Sequence, residues 1–339
     1  MSKYIFLLTI LLAFSLLSIA PVAGAENDIS ADVLIIDTED DISADQVLAE
    51  SSDLTNEPET LEGVQIREPK SVPSGFGVWW LNLKEKVSLG LTFNSVKKAE
   101  KQLKFAEERI GLAEYMIQNS TDVKVQEKAQ QMIERANEYI KKIEEKKSNL
   151  VLNSNQKVKT LLDNVAKHYL NKERALERIE DKISPEKLEQ FQQLRQTTEE
   201  KRETFLEYLE NSPNVFQVVK DKAFEVSQKI KDIKEEREGL REEQKDLLEQ
   251  IKAGNQEAKE AFQLIREEKK QATEKARQQF KEERTEIINK IKEGNDSAVE
   301  ELKQLNQEQK QNTQQILQNI REKTKEIKSG LIENSGVSQ

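Results

Sequence analysis

Apolar residues recur along the middle of the chain at alternating spacings of three and four. This spacing places them on one face of an α-helix. Two successive stretches keep the alternation without a break: Val96, Ala99, Leu103, Ala106, Ile110, Ala113 and Ile117, and then Val125, Ala129, Met132, Ala136, Tyr139 and Ile143. The short connection at residues 119–122 makes the two helices antiparallel neighbours. The pattern predicts an αα-hairpin whose alanines let the two backbones approach closely.

Two more helices are predicted after this hairpin. Ser184 and Pro185 separate them, because Ser caps a helix and Pro suits the first helical position. Residues 211–213, Asn-Ser-Pro, mark a second stop and start of the same kind. The apolar faces of the two helices are Val158, Leu161, Leu162, Val165, Tyr169, Leu176, Ile179 and Ile183, and then Leu188, Phe191, Leu194, Phe205 and Leu209.

The C-terminal third contains a duplicated unit. The sequence IKAGN at residues 251–255 returns as IKEGN at residues 291–295, 40 residues later. Gly254 and Gly294 each follow an apolar helical face, where glycine closes a helix in the left-handed conformation. Asn255 is predicted to cap the helix after the first corner, and Asp296 or Ser297 the helix after the second.

Three long helices therefore meet at two corners, and polar residues interrupt their apolar seams: Arg237, Gln244, Lys269, Gln309 and Asn312. Such residues weaken packing. The sequence leaves open whether these helices fold back into a hairpin or extend as an array. The predicted fold class is all-α: an antiparallel helical bundle with αα-hairpins in residues 71–210, then long coiled-coil-like helices with a 40-residue repeat in residues 211–332, and a disordered tail at 333–339.

The charge is unevenly distributed. Charged residues make up 34% of the chain and apolar residues 36%, against about 25% and 45–50% in ordinary globular domains. The net charge is −10, and residues 26–70 hold 14 acidic residues against Arg67 and Lys70. The rest of the chain is close to neutral and offers no basic face, so nucleic acid is not an expected partner.

The N-terminus has the pattern of a secretory signal peptide. Lys3 precedes an apolar run at residues 5–20, and Ala23-Gly24-Ala25 forms a small-residue cleavage site. The expected mature chain begins at Glu26 and lies outside the cytoplasm, secreted, periplasmic or associated with the cell envelope. An uncleaved membrane anchor is the alternative. The chain has no Cys, which rules out disulfides.

Residues 26–70 are predicted to be an acidic, disordered leader. Low hydrophobicity and high charge favour a solvated spacer. The sequence DISAD occurs twice in it, at residues 28–32 and 41–45. A short motif that binds cations or a partner is the alternative interpretation of that repeat.

The junction of leader and body resembles a known family. The carrying residues are Glu68-Pro69-Lys70 with Pro73, then Leu91-Thr92-Phe93, Lys97-Lys98-Ala99-Glu100 and Phe105-Ala106-Glu107. Residues 65–210 or so are similar to the bacterial domain-of-unknown-function family 5667. The resemblance implies an exported, all-helical protein or an extracytoplasmic part of an envelope protein, without assigned catalytic residues. The stretch from Ser74 to Gly77 departs from the Ser-Pro-aromatic turn expected there.

Catalytic chemistry has few residues to draw on. His168 is the only histidine, and without Cys there is no basis for a His/Cys metal cluster or for a nucleophile paired with His. His168 is interpreted as a residue on the surface or edge of a helix. Glu alternates with Lys at helical spacing, which is typical of a solvated face. We therefore predict a protein that is not an enzyme, with no catalytic residues, cofactor or metal.

The two tryptophans are the strongest candidates for a contact site. Trp79 and Trp80 are adjacent, with Phe76 and Leu83 nearby. Adjacent helical residues point about 100° apart, so both rings do not fit one narrow seam. One interpretation is that they anchor the first helix onto the hairpin. The other is that Phe76, Trp79, Trp80 and Leu83 contact a partner or a membrane interface, because Trp favours half-wetted places.

Two functions follow as hypotheses. The first is a non-catalytic exported protein of the bacterial cell envelope that acts as a structural or protein-interaction module. The second is an envelope holdase chaperone that binds unfolded clients on an amphipathic helical face, because residues 183–196 resemble the helix starts of small envelope-stress chaperones. A chaperone needs an exposed apolar patch. The sequence identifies no protein partner and leaves self-association open.

Overall fold

The computed structural model describes residues 47, 48, 51, 54–152, 155–295 and 297–334. The predicted signal peptide and both DISAD repeats lie outside these residues. Within them the regular structure is helical throughout, and the helices pack against one another, which confirms the predicted all-α bundle. The helices are α1 (Gly75–Gly90), α2 (Ser95–Asn119), α3 (Val123–Glu144), α4 (Lys147–Leu152), α5 (Gln156–Glu180), α6 (Pro185–Asn211), α7 (Gln217–Lys252), α8 (Gln256–Lys292) and α9 (Ser297–Asn334).

The α2–α3 hairpin has the most extensive pairing of any two helices. Its seam consists of the predicted stripes: Ala99, Leu103, Ala106, Ile110, Ala113 and Ile117 are buried on α2, and Ala129, Met132, Ala136, Tyr139 and Ile143 are buried on α3. Asn94 and Asp122 cap the two helices by accepting bonds from the backbone N–H groups of Lys97 and Lys124. Helix α5 packs on α2, and α6 and α7 pack on α5.

The two glycine corners fold the C-terminal helices back on one another. Gly254 has φ +89° and Gly294 has φ +82°, the left-handed conformation that glycine adopts without strain. The backbone N–H of Gly254 donates to the carbonyl of Ile251 at 2.9 Å, and that of Gly294 to Ile291 at 3.0 Å. Helix α8 contacts both α7 and α9, and α9 also contacts α7. The three long helices are therefore a hairpin array that folds back rather than an extended arm.

The asparagine after each corner glycine accepts a bond from the start of the next helix. Asn255 accepts from the N–H of Ala258 at 3.1 Å, as expected. At the second corner Asn295 accepts from the N–H of Ser297 at 3.1 Å. Ser297 is the first residue of α9, and Asp296 is outside the described residues. Asn295 aligns with Asn255 and likewise binds a backbone N–H at the start of a helix, which reinforces the repeat.

The interpretation of His168 as a surface or edge residue is wrong. Its side chain is fully buried between α2 and α5, and its Nδ1 lies 3.0 Å from Oε1 of Glu107. It stands seven residues after Leu161 and seven before Ala175, both buried. A period of seven on one helix keeps a residue on the same face. The core position of His168 follows from that register.

The prediction of a disordered leader is wrong for residues 54–70. Residues 57–62 run without helix along α5, where the side chains of Asn164 and Asn171 bind their backbone. Leu61 is buried in the main core. Low average hydrophobicity concealed this one anchoring leucine and the polar contacts around it. The described residues from 47 onward belong to one compact unit.

A buried ionic cluster joins α5 to α6 and α7. Glu173 of α5 accepts from Arg195 and Arg202 of α6 and from Arg237 of α7, and all four side chains are buried. Arg237 also donates to Glu199 at 2.7 Å. We call Glu173, Arg195, Arg202, Arg237 and Glu199 the Glu173 cluster. Arg237, one of the polar residues on the predicted seam, is thus part of an ion-pair network.

Candidate functional site

Helix α1 is attached to the bundle by the side that carries its one carboxylate. Glu85 is its one acidic residue, and it is buried against α2 and α3. Arg109 of α2 donates to Glu85 from Nε at 3.0 Å and from Nη2 at 2.8 Å, and Tyr139 of α3 donates to it at 2.6 Å. Burial and then this bond to Glu85 raise the pKa of Tyr139 above its ordinary value. Bidentate Arg–carboxylate geometry of this kind fixes orientation strongly.

Asn82 and three apolar residues complete the inner side of α1. Arg109 donates from Nη2 to Oδ1 of Asn82 at 2.7 Å. Leu89 is buried, and Val78 and Leu81 pack against the core. These residues recur every three or four positions, so they form one stripe. The structure assigns the anchoring of α1 to this stripe and not to the two tryptophans.

The opposite side of α1 is apolar and exposed. Phe76 is 73% exposed, Trp79 54%, Trp80 45% and Leu83 38%. The exposed surface continues through Val87 to Leu91 and Phe93 in the turn that follows the helix. We call this set the aromatic face: Phe76, Trp79, Trp80, Leu83, Val87, Leu91 and Phe93. Half-exposed apolar groups gathered in one place mark contact sites more often than single ones do.

Three rings of the aromatic face, those of Phe76, Trp79 and Trp80, lie in a row. The ring centroids of Phe76 and Trp79 are 5.5 Å apart with a stacked arrangement, and those of Trp79 and Trp80 are 6.1 Å apart. Ser74 fixes the start of the helix by accepting from the N–H of Gly77 at 3.2 Å. The stretch from Ser74 to Gly77 that departs from the family pattern is therefore an ordinary capped helix entry. It presents Phe76 at the outer end of the face.

Lysines border the aromatic face on both sides. At about 100° per residue, Phe76 and Val87 lie close to one line along α1, with Lys84 and Lys86 roughly 80° away on opposite flanks. Both lysines are exposed. Because Glu85 is turned inward, the exposed charge of α1 is purely positive. An apolar strip between two cationic flanks is the arrangement of helices that lie in a membrane interface.

The comparisons with known proteins concern this part of the chain. Residues 79–186 match the family model described as Domain of unknown function (DUF5667). The match confirms the resemblance to that family. Searches of curated proteins and of solved structures find no match to the chain. The DUF5667 region begins at Trp79 within α1, contains the α2–α3 hairpin and α5, and ends just after α6 begins.

Membrane-spanning helices and metal clusters are absent from the described residues. None of the described helices is both long and apolar enough to cross a membrane. Across the described part of the chain, no group of three or more His, Asp or Glu side chains is placed to hold a metal ion.

The sequence identified Phe76, Trp79, Trp80 and Leu83 but not Val87, Leu91 and Phe93, nor the buried Glu85–Arg109 pair. The signal for the pair was one Glu in register with Val78, Leu81 and Leu89.

Proposed function

We propose that this protein is a non-catalytic, exported helical module of the bacterial cell envelope that docks on the surface of an anionic membrane through its aromatic face. The observation that carries the proposal is the orientation of α1 on the bundle. The helix buries its carboxylate, Glu85, and exposes its aromatic rings. A helix that faced only the bundle would bury its large apolar residues. Docking on a membrane interface would bury the large apolar residues that α1 leaves exposed.

The chemistry of the face favours lipid over protein. Trp rings prefer the headgroup region of a bilayer, where one edge is apolar and the other wet. Flanking lysines extend their ammonium groups towards anionic lipids, each contributing about 1 kcal/mol near such a surface. Lys84 and Lys86 have the required places on the two flanks of α1.

The two tryptophans make the test direct, because they are the only ones in the chain. The chain from Glu26 onward, which keeps every described residue, is mixed with vesicles of phosphatidylglycerol and phosphatidylcholine. Docking predicts a blue shift of the Trp emission and sedimentation with the vesicles. Both effects should weaken at high salt, since the electrostatic part is screened, and both should weaken with phosphatidylcholine alone.

A matched pair of variants locates the contact. Phe76→Ser with Leu83→Ser removes two large groups of the face and keeps both tryptophans. Phe224→Ser with Leu264→Ser makes the same two changes on α7 and α8, where Phe224 is 57% and Leu264 52% exposed. The first pair should lose vesicle binding and the second should keep it. Equal loss in both, or no binding by the unaltered chain, would overturn membrane docking.

The holdase chaperone is the second candidate, favoured by the same exposed apolar groups. It predicts that the chain suppresses aggregation of an unfolding client protein in the absence of lipid. Seven of the exposed large apolar residues lie between residues 76 and 93, a small area for a client. Membrane docking is therefore the function we place first. Aggregation suppression that Phe76→Ser with Leu83→Ser abolishes, without any vesicle binding, would reverse that order.

A further inference from the structure

Two asparagines of α5 hold a segment of the leader by its backbone. We call residues 56–62 the strap. The N–H of Glu59 donates to Oδ1 of Asn171 at 2.6 Å, and the Nδ2 of Asn171 donates back to the carbonyl of Glu59 at 2.9 Å. Asn164 makes the same pair of bonds with the N–H and carbonyl of Glu62, at 2.9 and 2.8 Å. Each side-chain amide therefore pairs with both the N–H and the carbonyl of one residue, as a residue on a neighbouring antiparallel strand would.

The spacing of these two clamps suits an extended peptide. Asn164 and Asn171 are seven residues apart on α5, which is about 10.5 Å along a helix. Glu59 and Glu62 are three residues apart, which is about 10 Å along an extended chain. Every one of the four bonds goes to backbone atoms, so the clamps do not depend on which side chains the peptide carries. Both asparagines are themselves buried.

Other contacts set the chemistry of the peptide. The carboxylate of Glu59 lies 3.7 Å from Nζ of Lys222 and 3.8 Å from Nζ of Lys229, both on α7. Leu61 is buried in the main core. Arg174 adds a bond from Nη1 to the carbonyl of Glu57 at 2.8 Å. The groove therefore selects an extended, acidic segment with a leucine two residues after a glutamate.

The groove does not end with the strap. Beyond Glu62 it continues between α2 and α5 as an open cleft of about 540 Å³, lined in part by Lys101, Lys104 and Lys157. Residues 63–74, between the strap and α1, contain no helix. Twelve residues of extended chain reach at most about 40 Å. This length allows the strap to reach a second groove once Val64 and Val72, which pack against the core, are released, while α1 stays attached to its own bundle.

We propose that the Asn164 and Asn171 groove is a binding site for an extended acidic peptide, and that its partner in trans is the strap of a second copy of this chain. The strap is the one segment whose fit to the groove is established by contacts, and every copy carries it. Within one chain the short tether gives the strap a high effective concentration. The cis arrangement is then the monomer, and exchange of straps gives a dimer without any new interface.

Complementation of two defective variants tests this, each made in the chain from Glu26 onward. The strap-defective variant, Glu59→Pro with Glu62→Pro, lacks the two N–H groups that donate to the asparagines. The groove-defective variant, Asn164→Leu with Asn171→Leu, lacks both clamps and keeps an intact strap. Circular dichroism checks that each remains helical, and light scattering coupled to size exclusion gives the mass.

Each variant alone should have the monomer mass, and their mixture should give a 1:1 complex of twice that mass. The control mixture pairs Thr60→Pro with Asn312→Leu. Thr60→Pro removes a backbone N–H that donates to neither asparagine, and Asn312 is exposed on α9. It should remain monomeric. A test mixture that stays monomeric while both variants are helical overturns the proposal. So does dimerisation of either variant alone to the same extent, because the interface would then lie elsewhere.

A milder pair of variants covers the case in which these changes unfold the chain. Glu59→Lys reverses the one charge of the strap that faces Lys222 and Lys229, and Lys222→Glu with Lys229→Glu reverses those two charges of the groove at partly exposed positions. Each variant alone opposes like charges in cis. Their mixture restores attraction in both grooves, so it should form the dimer more than tenfold more tightly than either variant alone. Equal masses for the mixture and the separate variants would refute strap exchange.

Discussion

The α2–α3 hairpin and the junction of α5, α6 and α7 are both buried, but different forces hold them. The hairpin seam is apolar and includes the fully buried alanines Ala106, Ala113 and Ala136. The junction is centred on Glu173, whose two oxygens accept from three arginines. The first interface is stabilised by the exclusion of water and by close contact. The second depends on mutual compensation of charges that would be costly to bury singly.

The difference follows the boundary of the family match. The hairpin and α5 lie within residues 79–186, whereas Arg195, Arg202 and Arg237 lie beyond it. An apolar seam tolerates sliding among similar residues, while a carboxylate that serves three arginines has one correct placement. Our hypothesis is that the Glu173 cluster sets the register in which α6 and α7 attach to the DUF5667 region.

The largest expected effect comes from breaking the charge balance of the cluster. Glu173→Gln keeps the shape of the side chain and removes its charge, leaving Arg195, Arg202 and Arg237 buried without their shared carboxylate. Removing one partner of a buried ion pair costs about 3–5 kcal/mol of the free energy of unfolding. Urea denaturation of the variant and the unaltered chain measures the difference.

Glu203→Gln is the matched control for that change. The Glu203 side chain is 58% exposed and 3.8 Å from Arg202, so its loss should change stability by less than about 1 kcal/mol. A loss for Glu173→Gln as small as that for Glu203→Gln would mean that the cluster is hydrated in solution. The contrast between the two interfaces would then disappear.

Acid should weaken the junction more than the hairpin. Burial by itself raises the pKa of Glu173. The positive charges of Arg195, Arg202 and Arg237 act in the opposite direction and outweigh it, so the pKa falls from an ordinary value of 4.5 to about 2. In the unfolded chain the carboxylate takes up a proton near its ordinary pKa, whereas in the folded chain it stays ionised. The stability that it contributes is therefore present above about pH 4.5 and lost as the pH falls towards 2.

The expected loss over that range is on the order of 3 kcal/mol, at about 1.4 kcal/mol per pKa unit. The free energy of unfolding is measured at a series of pH values for the unaltered chain and for Glu173→Gln. Carboxylates that share no arginine with Glu173 contribute equally to both, so the difference isolates Glu173 and the groups coupled to it. Parallel curves for the two proteins between pH 5 and pH 2 would contradict the lowered pKa.

The apolar interfaces of this fold were predictable from sequence, and the ionic ones were not. The spacing of Ala99 to Ile117 defines a helical face whatever it packs against, so the hairpin follows from local periodicity. Glu173 is one glutamate among many with neighbouring Lys and Arg, and only tertiary packing distinguishes it. Arg237 and Lys269 on apolar seams were local hints of buried charge, and both are buried.

The candidate site divides in the same way. Trp79 and Trp80 are conspicuous by composition, and their neighbours Phe76 and Leu83 follow from helical geometry. Their exposure depends on Arg109 of another helix, which draws Glu85 inwards and so turns the rings outwards. Asn164 and Asn171 were missed because an asparagine pair has meaning only beside the peptide that it clamps. Both sites arise from contacts between segments far apart in sequence.

Added volume should damage the hairpin although it changes no charge. Ala106→Leu inserts three carbons at a position with no exposed surface, and overpacking of this kind typically costs about 1–3 kcal/mol. Glu173→Gln does the opposite, since it keeps volume and changes charge. Lys97→Leu, at an exposed position on the same helix, is the control and should lie within about 0.5 kcal/mol of the unaltered chain. If thermal denaturation gave Ala106→Leu as small a change in stability as Lys97→Leu, the seam would be loosely packed.

The smallest effects separate two glycines, one in the hairpin and one in the corner that follows α7. Gly111 lies within α2, and a Cβ there meets no atom within 4 Å. Gly111→Ala should raise the free energy of unfolding by up to about 1 kcal/mol, because Ala is the better helix former.

Gly254 also has open space around it, but its φ of +89° is unfavourable for an L side chain. Gly254→Ala should lower the free energy by about 1–2 kcal/mol. Open space is common to both sites, so opposite signs in urea denaturation would assign the difference to backbone conformation alone. Equal signs would mean that the corner after α7 relaxes to negative φ, and that the fold-back of the long helices does not depend on its glycine.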